Sequence, residues 1–333
     1  MFLAGHIETT HNRNNFAYMV VSIRHSLSLV STRPLRGYAM NKFLERLNTG
    51  EILVADGATG SNLQRMGLKP GRPPEDLIID NPDTVLRLAS SFVEAGSDII
   101  LTCTFGGTRL RMKDSNYQDR APEVNMRAAE LACKAASARA DVLVAGSMGP
   151  VGALIKPYGP LEAEDVKATF AEQAKALADG GVDLLLMETM FSLEETTAAF
   201  EGAKSVTDLP IVVSFSYDRG TRTMMGVKPR DVIKKSSAMG ATLVGANCGT
   251  TLDNMEAVVK EYAATMPDFP LWVKPNAGVP RMDIETEQGI YDMGPEDMAD
   301  FAKKYFKLGA KIVGGCCGNT PEHIAAIVKA VKN

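Results

Sequence analysis

Lys307-Leu308-Gly309-Ala310-Lys311-Ile312-Val313 runs directly into Gly314-Gly315-Cys316-Cys317-Gly318. The first seven residues read as a joint. A helix ends, a glycine stands where a left-handed cap is needed, and a buried strand begins soon after it. The same form recurs at residues 94–100, 179–185 and 238–244. Four copies of one helix-to-strand joint point to repeated βα units and hence to a parallel sheet.

Working outward, short apolar runs occur at 52–55, 99–102, 142–145, 184–187, 211–214, 243–245, 271–273 and 312–313. Segments with helical spacing lie between them, at 85–95, 124–138, 163–179, 194–204, 231–239, 255–264 and 295–308. A last helix is expected after Pro321. Eight beats over about 280 residues are close to the usual ~250 of a (β/α)8 barrel. An open doubly wound sheet ranks second, because no G-x-G-x-x-G turn follows the first strand. The expectation is a single-domain α/β fold, a TIM barrel, over residues 40–333.

Residues 1–39 differ from the rest. They hold one acid, Glu8, and four arginines, for a net charge of +3, which leaves −7 for the remainder of a chain whose total is −4. They show no sustained period and precede a second methionine, Met40. Three readings compete: a disordered tail outside the fold, an over-extended translation start, and a transit peptide. The first two are preferred. The rest of the composition is that of an ordinary globular protein, with 45% hydrophobic and 23% charged residues. The small negative charge gives no general affinity for nucleic acid, and no apolar run is long enough to span a membrane. Five cysteines without a secreted-scaffold spacing suggest a reducing, cytoplasmic setting.

Chemistry in such a barrel belongs at the C-terminal ends of the strands. Polar residues expected there are Asp56, Cys103, Ser147, Glu188, Ser216, Asn247, Cys248, Asn276, Cys316 and Cys317. Cys248, Cys316 and Cys317 carry the strongest signal. Three thiolates at the ends of two strands can hold a zinc ion and leave its fourth position open, as catalytic sites do. Adjacent side chains on a regular strand point to opposite faces, so the vicinal pair can share a metal only where the backbone leaves the extended form. The glycines around it permit that. Buried packing cysteines and a redox pair are the competing readings. Cys103 lies on another strand and Cys133 in an alanine-rich helix, so neither is expected to bind metal. His323 reads as a helix residue.

Asp56-Gly57-Ala58-Thr59-Gly60 follows the first strand and could turn backbone N–H groups toward an anion. Glu188, at the end of an apolar strand, needs a partner for its charge. Together they could take the two ends of a free amino acid. Asn247 and Asn276 could orient a ligand or cap turns.

At this point the chain resembles a known family. Residues 54–60, 95–98, 187–189, 245–248, 275–278 and 314–318 are similar to motifs of the zinc-dependent homocysteine S-methyltransferases. These include betaine–homocysteine methyltransferase, S-methylmethionine-dependent enzymes and the homocysteine-binding module of cobalamin-dependent methionine synthase. The resemblance covers about residues 45–331. It implies one zinc per chain on Cys248, Cys316 and Cys317, and homocysteine held by Asp56, the loop through Gly57 and Ala58, and Glu188. Cys103 departs from the methionine synthase module, which usually has asparagine there.

The implied reaction is methyl transfer to the homocysteine thiol, giving methionine. The chain ends soon after the eighth apolar run, so the donor is expected to be separate. It is either a small onium compound (betaine or S-methylmethionine) or a methyl-corrinoid, cobalamin on another protein. The motif wording favours the corrinoid partner. Tyr158 and Phe191 are the aromatics that could line an onium site. A non-catalytic or redox-sensing thiol barrel is the reading from another class.

Overall fold

Eight parallel strands make the sheet: β1 (Leu53–Val54), β2 (Ile99–Leu101), β3 (Leu143–Met148), β4 (Leu184–Met190), β5 (Ile211–Phe215), β6 (Leu243–Cys248), β7 (Leu271–Pro275) and β8 (Ala310–Val313). This computed structural model describes residues 41–249, 251–283 and 289–332. The expected extension at 1–39, with Met40, lies outside the described residues. Neighbours run β1-β8-β7-β6-β5-β4-β3-β2, and a parallel bridge from Ala55 to Ile99 joins the two ends. That bridge makes a barrel of what would otherwise be an open sheet, so the doubly wound alternative falls.

The closing seam is the thinnest part of the wall. Asp56 N–H donates to Ile99 O at 2.9 Å, and Asp98 N–H to Val54 O at 2.7 Å. Two carboxylates extend this ladder. Leu101 N–H donates to Asp56 Oδ2, and Val54 N–H to Asp98 Oδ2, each at 2.7 Å. β1 is short, so side chains supply pairing that its backbone cannot.

Inside the barrel, Leu53, Leu101, Leu186, Leu243, Trp272 and Ile312 are among the buried side chains that fill the bore. Phe43 joins them from the helix Lys42–Asn48, which plugs the N-terminal mouth. Asn41 caps that helix by accepting from the N–H groups of Phe43 and Leu44. Arg46 then ties it to Asp98 at 2.9 Å, and Lys332 reaches the same carboxylate at 2.6 Å. The far end of the barrel is left for chemistry.

The outer helices Pro82–Glu94, Ala121–Ala136, Ala163–Asp179, Leu193–Lys204, Pro229–Met239, Leu252–Thr265, Pro295–Lys307 and Pro321–Lys332 follow the expected alternation. Their apolar faces pack on the outside of the sheet. Three strands run further than their apolar cores: β3, β4 and β6 continue into Ser147, Glu188 and Cys248. A parallel ladder still pairs the backbones of Ser147 and Cys248 although the side chains turn polar, while Glu188 falls at a register shift between β4 and β5. The helix Gly60–Arg65 and the helical turns between Pro74 and Asp80 have no sequence counterpart above, being too short to show a period. Among the described residues no helix is long and apolar enough to cross a membrane.

Candidate active site

The sulfurs of Cys248, Cys316 and Cys317 all lie within 4.8 Å of one another. Cys248 Sγ is 2.9 Å from Cys316 Sγ. Tetrahedral zinc with Zn–S near 2.3 Å spaces its sulfurs about 3.8 Å apart, so this trio fits such an ion with small adjustments. Cys103 and Cys133 are not part of this cluster. Cys103 is buried in the cavity wall, while the Cys133 thiol faces the carbonyl of Gly181 at 3.4 Å.

The vicinal pair shares a face because β8 stops at Val313. Beyond it the chain is strapped down by its neighbours. Gly315 N–H donates to Asp56 O at 3.0 Å, Cys316 N–H to Pro275 O at 2.8 Å, and Ala277 N–H to Cys317 O at 2.9 Å. Asn319 is fully buried and donates from Nδ2 to Pro275 O at 3.0 Å and Cys316 O at 3.1 Å. Its side chain lies where a Cβ on Gly315 would be, 2.2 Å from Cγ. Gly318 has φ of +82°, and the Tyr291 ring lies against it. Cys248 itself has φ of +54°, a conformation costly for a residue with a side chain. It is held at the junction of β6 and β7, where Cys248 pairs with Pro275.

The thiols share protons unequally. Cys317 is held well below the ordinary thiol range because the S–H groups of Cys248 and Cys316 donate to its sulfur, and the Tyr291 hydroxyl helps. Cys248, which does the donating, is pushed well above that range. Cys316 exchanges bonds with both and is pushed up to about 12. Hydrogen bonding within the cluster thus favours the anionic form at Cys317 over the other two sulfurs.

A cavity of about 670 Å³ opens over the sulfurs. Gly57, Ala58, Glu188, Cys248, Cys316 and Cys317 line it, as do Cys103, Thr189 and Lys274. Glu188 accepts from Ser147 Oγ at 2.5 Å. Burial pushes its carboxyl up to about 7, against the pull of Lys274. Lys274 is buried and bonds Asp56 Oδ1 at 2.7 Å. Burial works against its charge, but Asp56 and Glu188 outweigh it and raise its pKa.

Three expected site residues stand behind the cavity surface rather than on it. The Asp56 carboxylate is occupied by Lys274 and by Leu101 N–H. Asn247 is fully buried: its Oδ1 accepts from Thr189 N–H at 2.9 Å and Ser214 Oγ at 2.6 Å, and its Nδ2 donates to Thr189 Oγ1 at 2.7 Å. It thereby holds Thr189 at φ of +61°, beside Glu188. Asn276 donates to Gly249 O at 3.4 Å. The proposed aromatics are also elsewhere. Tyr158 is 67% exposed, and neither it nor Phe191 is among the cavity-lining residues, where Phe105 stands instead. His323 behaves as a helix residue, its Nδ1 accepting from Thr320 N–H at 3.2 Å.

Sequence reasoning missed Lys274, Tyr291 and Asn319. Lys274 had a legible signal, a lysine ending the apolar run Leu271-Trp272-Val273. Tyr291 and Asn319 had none, since each acts through a fold-dependent contact.

Barrel and site define a (β/α)8 protein with a three-thiol cluster at the C-terminal ends of its strands. Residues 53–331 match the homocysteine S-methyltransferase family, and the chain belongs to it. It is similar in structure to the homocysteine methyltransferase MmuM from Escherichia coli. The metallated form of that protein superimposes with a TM-score of 0.73 at 24% identity, covering 86% of this chain and 99% of that one. Its oxidized form gives 0.72 at 24% identity, over 87% and 99% of the two chains. At this identity the likeness speaks for the shared barrel.

Proposed function

We propose that this barrel methylates the thiol of homocysteine at a zinc ion held by Cys248, Cys316 and Cys317. The observation that carries the reading is the placement of three converging sulfurs in one cavity with Glu188 and the Gly57–Ala58 turn. A free thiol has a pKa near ~8.5 and is mostly protonated at neutral pH. Zinc bound there supplies the missing activation, by removing the thiol proton while leaving the sulfur nucleophilic.

The protein's own groups do the rest. Glu188, ionised on meeting a cation, takes the ammonium of homocysteine. Backbone N–H groups of the Gly57–Ala58 turn take its carboxylate. Lys274 keeps Asp56 and Glu188 from repelling the sulfur cluster. Asn247 and Asn276 keep the strand ends in shape. The substrate sulfur lies then in line with a methyl group presented from the open side of the cavity. The new S–CH3 bond forms as the donor–CH3 bond breaks, and that bond's electrons stay with the donor. Methionine is the product. A small onium compound and a methyl-corrinoid on a partner protein both satisfy this balance.

Metal analysis tests the reading. Protein purified without chelator should hold about one zinc per chain and methylate homocysteine. Cys248→Ser, Cys316→Ser and Cys317→Ser should each lose zinc and turnover, while Cys103→Ser keeps the metal. A zinc-free protein with an oxidised Cys316–Cys317 pair would favour the redox-sensing reading instead.

A further inference from the structure

Cys248, Cys316 and Cys317 line the cavity in which the methyl group is transferred. Homocysteine brings a fourth sulfur. A thiolate is the nucleophilic form of a cysteine, so the protein's own sulfurs are rivals of the substrate for the methyl group. A methylated cysteine is a neutral thioether and would no longer hold a cation as a thiolate does. The site therefore needs its own sulfurs to be poorer nucleophiles than the substrate's. Tyr291 stands where it can arrange this. It is half-buried, on the segment between β7 and the helix Pro295–Lys307. Its ring lies against Gly318, where a Cβ would come within 2.3 Å of Cγ. Gly318 follows Cys317 directly, and the Tyr291 hydroxyl donates to the Cys317 sulfur. The segment is fastened to the turn that carries this cysteine. Met293 N–H donates to Ala277 O at 3.1 Å, and Ala277 N–H to Cys317 O at 2.9 Å. His323 Nδ1 accepts from Thr320 N–H, so its Nε2 is free to donate to Met293 O, 3.0 Å away. Cys316 has a weaker outside contact, with Asn247 Nδ2 at 3.9 Å.

We propose that Tyr291 guards Cys317 from methylation and so directs the methyl group to homocysteine. This rests on the reading above, in which the three cysteines are thiolates around a cation. In the step that is prevented, Cys317 Sγ would form an S–CH3 bond as the donor–CH3 bond breaks, and that bond's electrons would stay with the donor. A hydrogen bond to a thiolate is strong while the sulfur is charged and weakens as the sulfur becomes a thioether. It therefore stabilises the ground state of Cys317 more than the transition state for its alkylation, which slows that reaction. Tyr291 is not among the residues that line the cavity. Its hydroxyl draws charge from the cysteine without standing in the substrate's way. Tyr291 is thus a positioning residue, acting through Cys317 rather than on the reacting groups.

Tyr291→Phe tests this, because the ring can still pack on Gly318 while the donor is lost. The zinc-loaded full chain, wild type and variant, would be treated with methyl iodide, and the peptides carrying each cysteine weighed for an added methyl group. Cys317 should be methylated about tenfold faster or more in the variant, as expected for losing a charge-assisted hydrogen bond. Labelling of Cys248 and Cys316 should not change, a selectivity that a merely structural role for Tyr291 would not produce. Zinc content and melting temperature, measured first, should match the wild type. In cobalt-loaded protein the thiolate-to-cobalt absorption should move to longer wavelength, since a thiolate without its donor gives up electrons more readily. Equal methylation of Cys317 in the two proteins would overturn the assignment. So would loss of zinc from the variant, which would make Tyr291 a support for the metal instead. A wild type that methylates no homocysteine with S-methylmethionine, betaine or methylcobalamin would overturn the reading on which the proposal rests, and the methyl iodide labelling would still decide the role of Tyr291.

Discussion

Glu188 shows how one side chain can be poised between two charge states. Its strand buries it, Ser147 and Lys274 favour its ionised form, and burial wins by enough to bring its pKa to about 7. An ammonium group arriving beside it would tip the balance to the carboxylate. Glu188→Gln keeps the shape and the Ser147 contact but removes the charge. Homocysteine KM should rise about 10–100-fold, the equivalent of a charge-assisted hydrogen bond, with zinc content unchanged. A thiol lacking the amino group should be nearly indifferent to the change. Equal weakening of both thiols would make Glu188 a structural residue. Glu188 and the three cysteines were legible because each ends an apolar run, where a polar side chain needs a reason. Asn319 was not, since no strand carries it and only the folded turn brings it behind the cysteines.

At the level of elements, the site depends on how strand ends are tied together. Asn319 binds the turn after β8 to the end of β7 and, through its own carbonyl, to Ala58 N–H at 3.1 Å after β1. Asn319→Ala leaves all three cysteines in place but frees the turn that carries two of them. Zinc affinity should fall about 10–100-fold, as is usual when support behind metal ligands is lost. Competition with a chromogenic chelator would measure it, and unchanged affinity would show that the glycine-rich turn holds itself. Glu195 ties another pair of elements, accepting Val151 N–H at 2.7 Å from the start of the helix Leu193–Lys204. Burial raises its carboxyl from 4.5 to about 7. The folded protein therefore keeps this proton in a range where the unfolded chain has released it. Its stabilising share is full below about pH 4.5 and is lost as pH rises through 7. That loss is about 3 kcal/mol. Glu195→Gln should gain stability relative to the wild type between pH 5 and pH 8 in urea melts. Parallel curves at the two pH values would contradict the shift. Neither tie could be read from the sequence, because hydrogen bonds between distant loops leave no periodic trace. The helix-to-strand joints could be, because a glycine cap followed by an apolar run is a local signal.

For the molecule as a whole, the barrel accounts for its own closure at both weak points. The seam between β1 and β2 is completed by Asp56 and Asp98, and the N-terminal mouth is filled by Phe43. Both devices lie from Lys42 onward. The eight beats that made the barrel legible depend on nothing earlier in the chain, and the helix Lys42–Asn48 is capped by Asn41. Residues 1–39 are therefore proposed to be dispensable for folding and for metal binding. A chain starting at Met40 should express in soluble form, hold as much zinc as the full chain and melt within a degree or two of it. Its methyl-transfer rate should also match. A large drop in melting temperature or zinc content on truncation would mean that the first 39 residues contribute to the barrel. Asn41 gives the test a sharp internal control. Asn41→Ala in the shortened chain removes the cap and should cost ~1 kcal/mol, showing that the mouth of the barrel is sealed by the helix that begins there.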